Sequence, residues 1–465
     1  MRTIAALHTI VGLAMVAALP IAAAEPTQTW KAGVAEVTIT PTAPVWMSGY
    51  RRDRPSEGTA QDLRAKALVL EDAAGRRAVL ITMDLVGIDR ATSERACQQL
   101  ASKYGLERRQ IAFNCSHTHH GPAVGRNLEG LLLIDDAQWQ RIDAYTGQLI
   151  DKLVGLTGEA IAHLQPALVS RGQGCCTVAV NRRTNPRNDV PQVRERGQLR
   201  GPSDFDVPLL AVRGADGKLL AVAFGYACHP TTLPVDYQFS GDYAGYAQAA
   251  IEAAHPGAIA LFWAGCGGDQ APRPRDTVEL AQHYGGRLAV AVDEVLAGAM
   301  QPVTGPLLTS YAEIPLRLEK PPTRDELEQN TQSRNAHVAA LARRLLAGLD
   351  AGQSLRETYP YPIEVWQLGE QRWIFLGGEV VVDYALRLKH ELGPATWVAG
   401  YSNDVMAYIP SRRVLAEGGY EGANAQVYYG LPNRWSQAIE SQIVDEAQRQ
   451  CRALAATASG TNSAR

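Results

Sequence analysis

The chain has 465 residues, 46% of them apolar and 20% charged, with a formal net charge of −3 at pH 7. That balance supports a large folded core and carries no disorder signature before the last few positions. With no block of Lys or Arg, neither nucleic acid nor an anionic membrane surface is an expected partner.

The chain opens with Arg2, an apolar stretch from Ile4 to Ile21, and Ala22-Ala23-Ala24 before Glu25. This pattern predicts a secretory signal over residues 1–24, cut after Ala24, with an uncleaved anchor as the alternative. No later stretch is long and apolar enough to span a bilayer, so the mature chain is expected to work outside the cytoplasm, secreted or periplasmic. Seven cysteines without a C-x-x-C pair are not a disulfide framework, and the odd count leaves at least one thiol free.

After a short strand and a Pro/Gly-rich turn between Ala32 and Gly49, one pattern recurs. Ala65 to Leu85 reads as a hairpin turning at Asp72-Ala73-Ala74-Gly75, followed by a helix (Thr92 to Tyr104) and a strand (Ile111 to Phe113). Val207 to His229 turns at Gly214-Ala215-Asp216-Gly217, then gives a small-residue helix (Tyr243 to Ala254) and the strand Ala258 to Trp263. Pro362 to Glu379 turns at Leu368-Gly369-Glu370-Gln371, with a helix (Val381 to Leu392) and a strand (Thr396 to Gly400) behind it. The expected fold class is α/β: mixed β-sheets with flanking helices, built from three quasi-repeated hairpin-helix-strand units.

Two segments stand outside that rhythm. Asn181 to Ser203 is a polar loop rich in Arg, Pro and Gly. Pro321 to Leu355 reads as one amphipathic helix, either packed on the domain or serving as a lid. One domain over residues 25–455 is the simplest division, with a frayed tail at 456–465.

Polar residues fall where the strands give out, which is where ligands generally bind in α/β sheets. The first such end, Asn114-Cys115-Ser116-His117-Thr118-His119-His120-Gly121-Pro122, holds three of the ten histidines. In extended chain His117 and His119 share a face. They make either half of a metal site, a metal ligand beside an acid/base group, or a hydrogen-bonded structural cluster. Cys228-His229-Pro230, Gly265-Cys266-Gly267-Gly268-Asp269 and Gly377-Gly378-Glu379 close the other strands. Cys115, Cys228 and Cys266 could ligate zinc as thiolates or simply pack as small apolar residues. Leu131-Leu132-Leu133-Ile134 reads as an acyl pocket lining or a core segment.

Together these stretches resemble the neutral/alkaline non-lysosomal ceramidases, secreted or membrane-facing zinc amidases that cut the N-acyl bond of ceramide. The likeness runs through Ala32-Gly33-Val34-Ala35-Glu36-Val37-Thr38, Ser116 to Pro122, Asn181-Arg182, Asp204-Phe205-Asp206-Val207 and His229-Pro230-Thr231. It continues through Ser240-Gly241-Asp242-Tyr243, Gly268-Asp269-Gln270-Ala271-Pro272, Gly378-Glu379, and Tyr408 with Tyr420.

The resemblance implies a ceramidase-catalytic-domain-like fold in which Zn2+ is held by His117, His229, Glu379 and Tyr408, with His119 and Tyr420 facing the scissile carbonyl. Two imidazoles, a carboxylate and a phenol are acceptable zinc ligands. Arg182 and Asp84 orient substrate or ligands, or form structural ion pairs. Gly268, Asp269 and Ala271 mark the stretch that contacts substrate in the family, where a serine stands in place of Ala271. Lacking that hydroxyl, the chain keeps the metal site and leaves the substrate open between ceramide and another small-molecule or lipid N-acyl compound. The chain also ends too soon after Tyr420 for the immunoglobulin-like domain that follows the family's catalytic domain. A zinc esterase or lactonase, and a non-catalytic envelope binding protein on the same scaffold, are the competing expectations.

Overall fold

The computed structural model describes residues 30–462. The expected signal at residues 1–24 lies outside them.

Strand Arg64–Asp72 is buried at eight consecutive positions, so its sequence shows no in-out alternation. Both of its faces are covered. Leu68 and Leu70 point into a core shared with Trp366, Trp373, Phe375 and Trp397, while Ala67 and Val69 face Leu149 and Leu153 of helix Asp136–Ala162. The first core lies between two sheets, and the second runs between the outer faces of the sheets and their helices.

The larger sheet has nine strands. Eight run in the order Ile259–Ala264, Leu219–Tyr226, Asp206–Gly214, Gln165–Cys175, Trp30–Thr38, Arg64–Asp72, Arg77–Met83, Ile111–Cys115, with Gln301–Pro302 paired to Gln165–Cys175. The smaller sheet runs Leu307–Arg317, Thr358–Leu368, Gln371–Leu376, Trp397–Ala399. Trp263 on the larger sheet and Trp373 on the smaller meet with ring centroids 5.2 Å apart. A pair of this kind adds about 0.5–1.5 kcal/mol beyond its buried area. Helix Ile439–Asn462 closes the outer face of the smaller sheet through Ile443, Val444 and Ala447.

Among the described residues, three antiparallel hairpins each continue through a helix into a strand parallel to the hairpin's second strand. The parallel pairs are Arg77–Met83 with Ile111–Cys115, Leu219–Tyr226 with Ile259–Ala264, and Gln371–Leu376 with Trp397–Ala399. In the first hairpin Asp72 sets the turn, its Oδ1 accepting the N–H groups of Ala74 and Arg76 at 3.0 Å, with Gly75 at φ +78°.

Three segments differ from expectation. Pro321 to Leu355 forms two helices, Arg324–Asn330 and Ala336–Asp350, because Thr323 and Asn335 each cap a helix start. The second packs against the 3-10 helix Asn424–Tyr429 and the turn at Gly130, its His337 Nδ1 lying 2.9 Å from Gly130 O and its ring 5.2 Å from that of Tyr428. Within the polar loop, Val190–Glu195 is a short helix. At the other end helix Ile439–Asn462 runs past Thr457, where the chain was expected to fray.

Candidate metal centre

Asn114 joins three strand ends. Its amide donates to Gly400 O (2.8 Å) and Ser402 Oγ (3.0 Å), and its oxygen accepts the N–H of Ala264 (2.8 Å). Asn114 lies on Ile111–Cys115, Ala264 ends its strand, and Gly400 follows Trp397–Ala399. The carboxyl ends of all three units are thereby drawn to one place, and the loops leaving them carry the chemistry.

Past Cys115 the chain is no longer extended. His117 has φ +67°, in the left-handed region that costs a residue with a β-carbon about 1–2 kcal/mol. Strain of this kind persists where surrounding contacts over-determine it. The buried His117 ring lies with Nδ1 2.6 Å from Val86 O, and the His229 ring with Nδ1 2.7 Å from Gly267 O. A carbonyl oxygen only accepts, so both Nδ1 atoms carry hydrogen and each ring turns its Nε2 toward Glu379. Each Nε2 stands 3.0 Å from the same atom, Glu379 Oε2. Two imidazole nitrogens and a carboxylate oxygen converging at this distance are a set of donor atoms that could hold a metal ion in their midst.

Burial, then the charge of Arg182, pushes the His229 imidazole down to about 4, so it is neutral at pH 7. Burial alone would raise the Glu379 carboxyl, but His117 and His229 facing it hold it well below the usual range.

His119 differs from the other two. Its Nε2 is 3.2 Å from His117 Nε2, yet its Nδ1 is buried with no hydrogen-bond partner among the described residues. Burial, then the two neighbouring imidazoles, holds it well below the ordinary histidine range. His117, His119 and His229 each offer a nitrogen within 4.8 Å of the others, a group that could hold a metal ion. Adding the carboxylate and phenol gives a nitrogen and oxygen donor set suited to a divalent ion of borderline softness.

Tyr408 reaches this group through backbone register. Strands Glu379–Val380 and Tyr408–Ile409 pair in parallel with Glu379 opposite Tyr408. The Tyr408 hydroxyl is 3.2 Å from His229 Nε2 and accepts a hydrogen bond from Arg182 Nη2 (2.9 Å). Burial holds this phenol well above its ordinary value, with Arg182 pulling the other way. Arg182 also donates to Gly268 O and Glu421 Oε1, both at 2.8 Å. Tyr420, 47% exposed, stands at the edge with its ring 5.4 Å from that of Tyr408.

The other expected site residues divide. Gly268 is pressed against Glu379, its N–H donating to Val380 O at 2.8 Å. Asp269 is a pin: Oδ1 accepts the N–H of Val382 at the start of helix Val382–Leu392 (2.8 Å), and Oδ2 accepts from Asn181 Nδ2 (2.9 Å). Ala271 is buried on strand Gln270–Pro272, paired with Val180. Asp84 accepts from Arg64 N (3.0 Å) and Gln248 Nε2 (3.2 Å) and is not brought to the histidines. Cys115, Cys228 and Cys266 are free thiols packed in the core, where burial pushes their thiols up and disfavours thiolate. Leu132 and Leu133 line a separate surface cleft with Trp139 and Leu341.

Three more tyrosines border the site: Tyr401 belongs to a strand end already read as polar and site-like, while Tyr50 and Tyr429 went unread in the sequence. The Tyr429 hydroxyl donates to Glu379 Oε1, the Tyr401 ring lies 4.3 Å from the His117 ring, and the Tyr50 ring lies 4.6 Å from the His119 ring. Tyr401 opens a polar strand end and Tyr50 follows Gly49, whose φ of +92° places its α-carbon where a β-carbon would meet the His119 ring at 2.6 Å. Nothing in the sequence sets Tyr429 apart.

The family profile described as neutral/alkaline non-lysosomal ceramidase, N-terminal, matches residues 30–302. No curated protein matches the chain. Among solved structures, a neutral ceramidase from Pseudomonas aeruginosa is similar over 91% of this chain and 74% of its own, at 21% identity and a TM-score of 0.69. A ceramidase complexed with C2 is similar over 90% and 74%, at 20% identity and a TM-score of 0.69. The two structural likenesses establish a shared fold of mixed sheets with flanking helices, and the profile covers more than half of the sequence. The chain belongs to the neutral/alkaline non-lysosomal ceramidase family.

Proposed function

We propose that this protein is a zinc-dependent hydrolase of the amide bond in an N-acyl compound, a lipid or a smaller molecule, with His117, His229, Glu379 and Tyr408 as the metal ligands. It works outside the cytoplasm as one catalytic domain, residues 25–455, after loss of the signal at residues 1–24. The observation that carries this reading is the pair of imidazole Nε2 atoms aimed at one oxygen of Glu379, each imidazole fixed by a backbone carbonyl behind it. Carbonyl acceptors behind ligating imidazoles fix tautomer and ring orientation in metal sites.

A zinc ion in that position supplies Lewis-acid polarisation of a carbonyl and lowers the pKa of water toward 7. The chain's own groups do the rest. Hydrolysis breaks the C–N bond, adds hydroxyl to the acyl carbon and returns a proton to the leaving nitrogen. His119, with no carbonyl behind its Nδ1, is the group that carries that proton. Tyr420 at the edge offers a hydroxyl to the oxygen on which negative charge develops. Arg182 holds the Tyr408 hydroxyl and adds a fixed positive charge beside it. Gly268 and Asp269 belong to the substrate-side stretch through the backbone they fix, and Asp84 supports the first hairpin behind it. With methyl-bearing Ala271 in the stretch, selection among N-acyl compounds falls to other residues.

The test is turnover of matched amide and ester substrates by the zinc-loaded protein. Amide cleavage that disappears in His117→Ala and His229→Ala supports the proposal. Rapid ester cleavage with no amide cleavage replaces it with an esterase.

A further inference from the structure

We propose that Arg273 and Arg275 form an anion-binding subsite beside the metal centre, so that the preferred N-acyl substrate carries a carboxylate or phosphate close to its amide. The inference rests on the hydrolase reading above and narrows its substrate class. Arg273 directly follows strand Gln270–Pro272, and the carbonyl of Gln270 accepts the N–H of His229 at 3.0 Å. Arg275 Nη1 lies 3.5 Å from the Tyr50 hydroxyl and 3.4 Å from Thr231 O. It thus spans from the ring packed on His119 to the residue two beyond His229. Arg275 therefore borders the residues beside His119 and His229, and Arg273 is two residues before it.

Arg273 is also short of negative charge. Nε and Nη1 of Arg273 are buried with no hydrogen-bond partner, and among the described residues no carboxylate pairs with it. Arg182, Arg187 and Arg275 are near enough to repel it, and burial together with that repulsion pushes its guanidinium down to about 10. The carboxylates at hand are already shared: Glu421 between Arg182 and Arg183, and Asp276 between Arg187 and Arg275. Asp242 is taken up by the N–H groups of Thr232 and Leu233, and Glu379 by the histidines. A buried donor left without an acceptor costs about 1–3 kcal/mol, more for a charged one. A neutral hydroxyl-bearing headgroup accepts a hydrogen bond but brings no opposing charge. A carboxylate or phosphate, held by planar guanidinium groups, supplies both the acceptors and the charge.

The experiment compares three substrates of one acyl length on the zinc-loaded full chain: N-lauroylglycine, N-lauroyl-O-phosphoethanolamine and neutral N-lauroylethanolamine. The expected result is kcat/KM at least about tenfold higher for an anionic substrate than for the neutral one, the scale of one charged hydrogen bond. The two anionic arms tell carboxylate from phosphate. In Arg273→Gln the anionic-to-neutral ratio collapses through KM rather than kcat, and Arg273→Lys restores part of it. Equal or better use of the neutral substrate by the unaltered protein overturns the subsite while leaving the hydrolase standing. If none of the three is cleaved, the hydrolase reading fails. Calorimetric binding of N-lauroylglycine against N-lauroylethanolamine then still decides the subsite, with binding at least about tenfold tighter for the anion expected and equal binding overturning it.

Discussion

A β-carbon on Gly268 would stand 2.7 Å from the carbonyl oxygen of Glu379 and 2.8 Å from that of Val380. No side chain fits in that gap, so the backbone bearing Glu379 is set by a residue with none. Gly268→Ala is expected to push the Glu379 strand outward, cost about 1–3 kcal/mol in stability and weaken metal binding at the same time. Denaturant unfolding with and without zinc measures both effects. A variant as stable and as tightly metallated as the parent contradicts this.

The Tyr429 hydroxyl donates a hydrogen bond to Glu379 Oε1 in the metal centre. Tyr429→Phe keeps the ring and removes the donor, so the carboxylate loses the partner that orients it. Zinc affinity measured by chelator competition is expected to fall about 10–100-fold, as for other partners behind metal ligands. Unfolding free energy should change far less.

Asn114 satisfies groups from two other strand ends, and Asn114→Ala leaves the Ala264 N–H and Gly400 O without that partner. The expected loss is about 2–4 kcal/mol by chemical denaturation. Asn114→Asp should not rescue it, since an ionised carboxylate cannot donate to Gly400 O.

Asp404 gives a pH dependence of stability. It is buried, with Tyr359 donating to Oδ2 at 2.7 Å and Oδ1 without a partner, and burial pushes its carboxyl up to about 7. The folded chain therefore holds this proton more tightly than the unfolded chain, whose aspartates titrate near pH 4. Stability from this group is full below about pH 4 and is lost as pH rises through 7, by up to about 4 kcal/mol. Asp404→Asn should flatten that slope in unfolding measurements between pH 4.5 and 8. A slope unchanged by the substitution contradicts the assignment.

The hairpins and the places where strands give out were legible because apolar runs ending in Gly, Pro and His mark them directly. His117 and His229 stood out for that reason. The relation between Glu379 and Tyr408 was not readable from spacing, since it depends on a two-residue parallel pairing between distant segments. Tyr429 was invisible for a similar reason: its one polar contact here is long-range, and nothing in its neighbours marks it. The break between helices Arg324–Asn330 and Ala336–Asp350 was missed because the reading rested on Leu341, Leu345 and Leu349, which all lie in the second helix, while the Asn335 cap that decides the matter is a single residue. Asp84 looked like its neighbours at strand ends, yet its acceptor atoms are occupied by Arg64 and Gln248.

The most direct measurement is the metal content of the purified chain, read beside its amide hydrolysis, for the parent and for His117→Ala and His229→Ala. The account predicts about one zinc ion per chain in the parent, loss of that ion in both variants, and loss of amide cleavage with it. Amide cleavage that survives complete removal of divalent ions, or variants that keep both metal and activity, contradicts it.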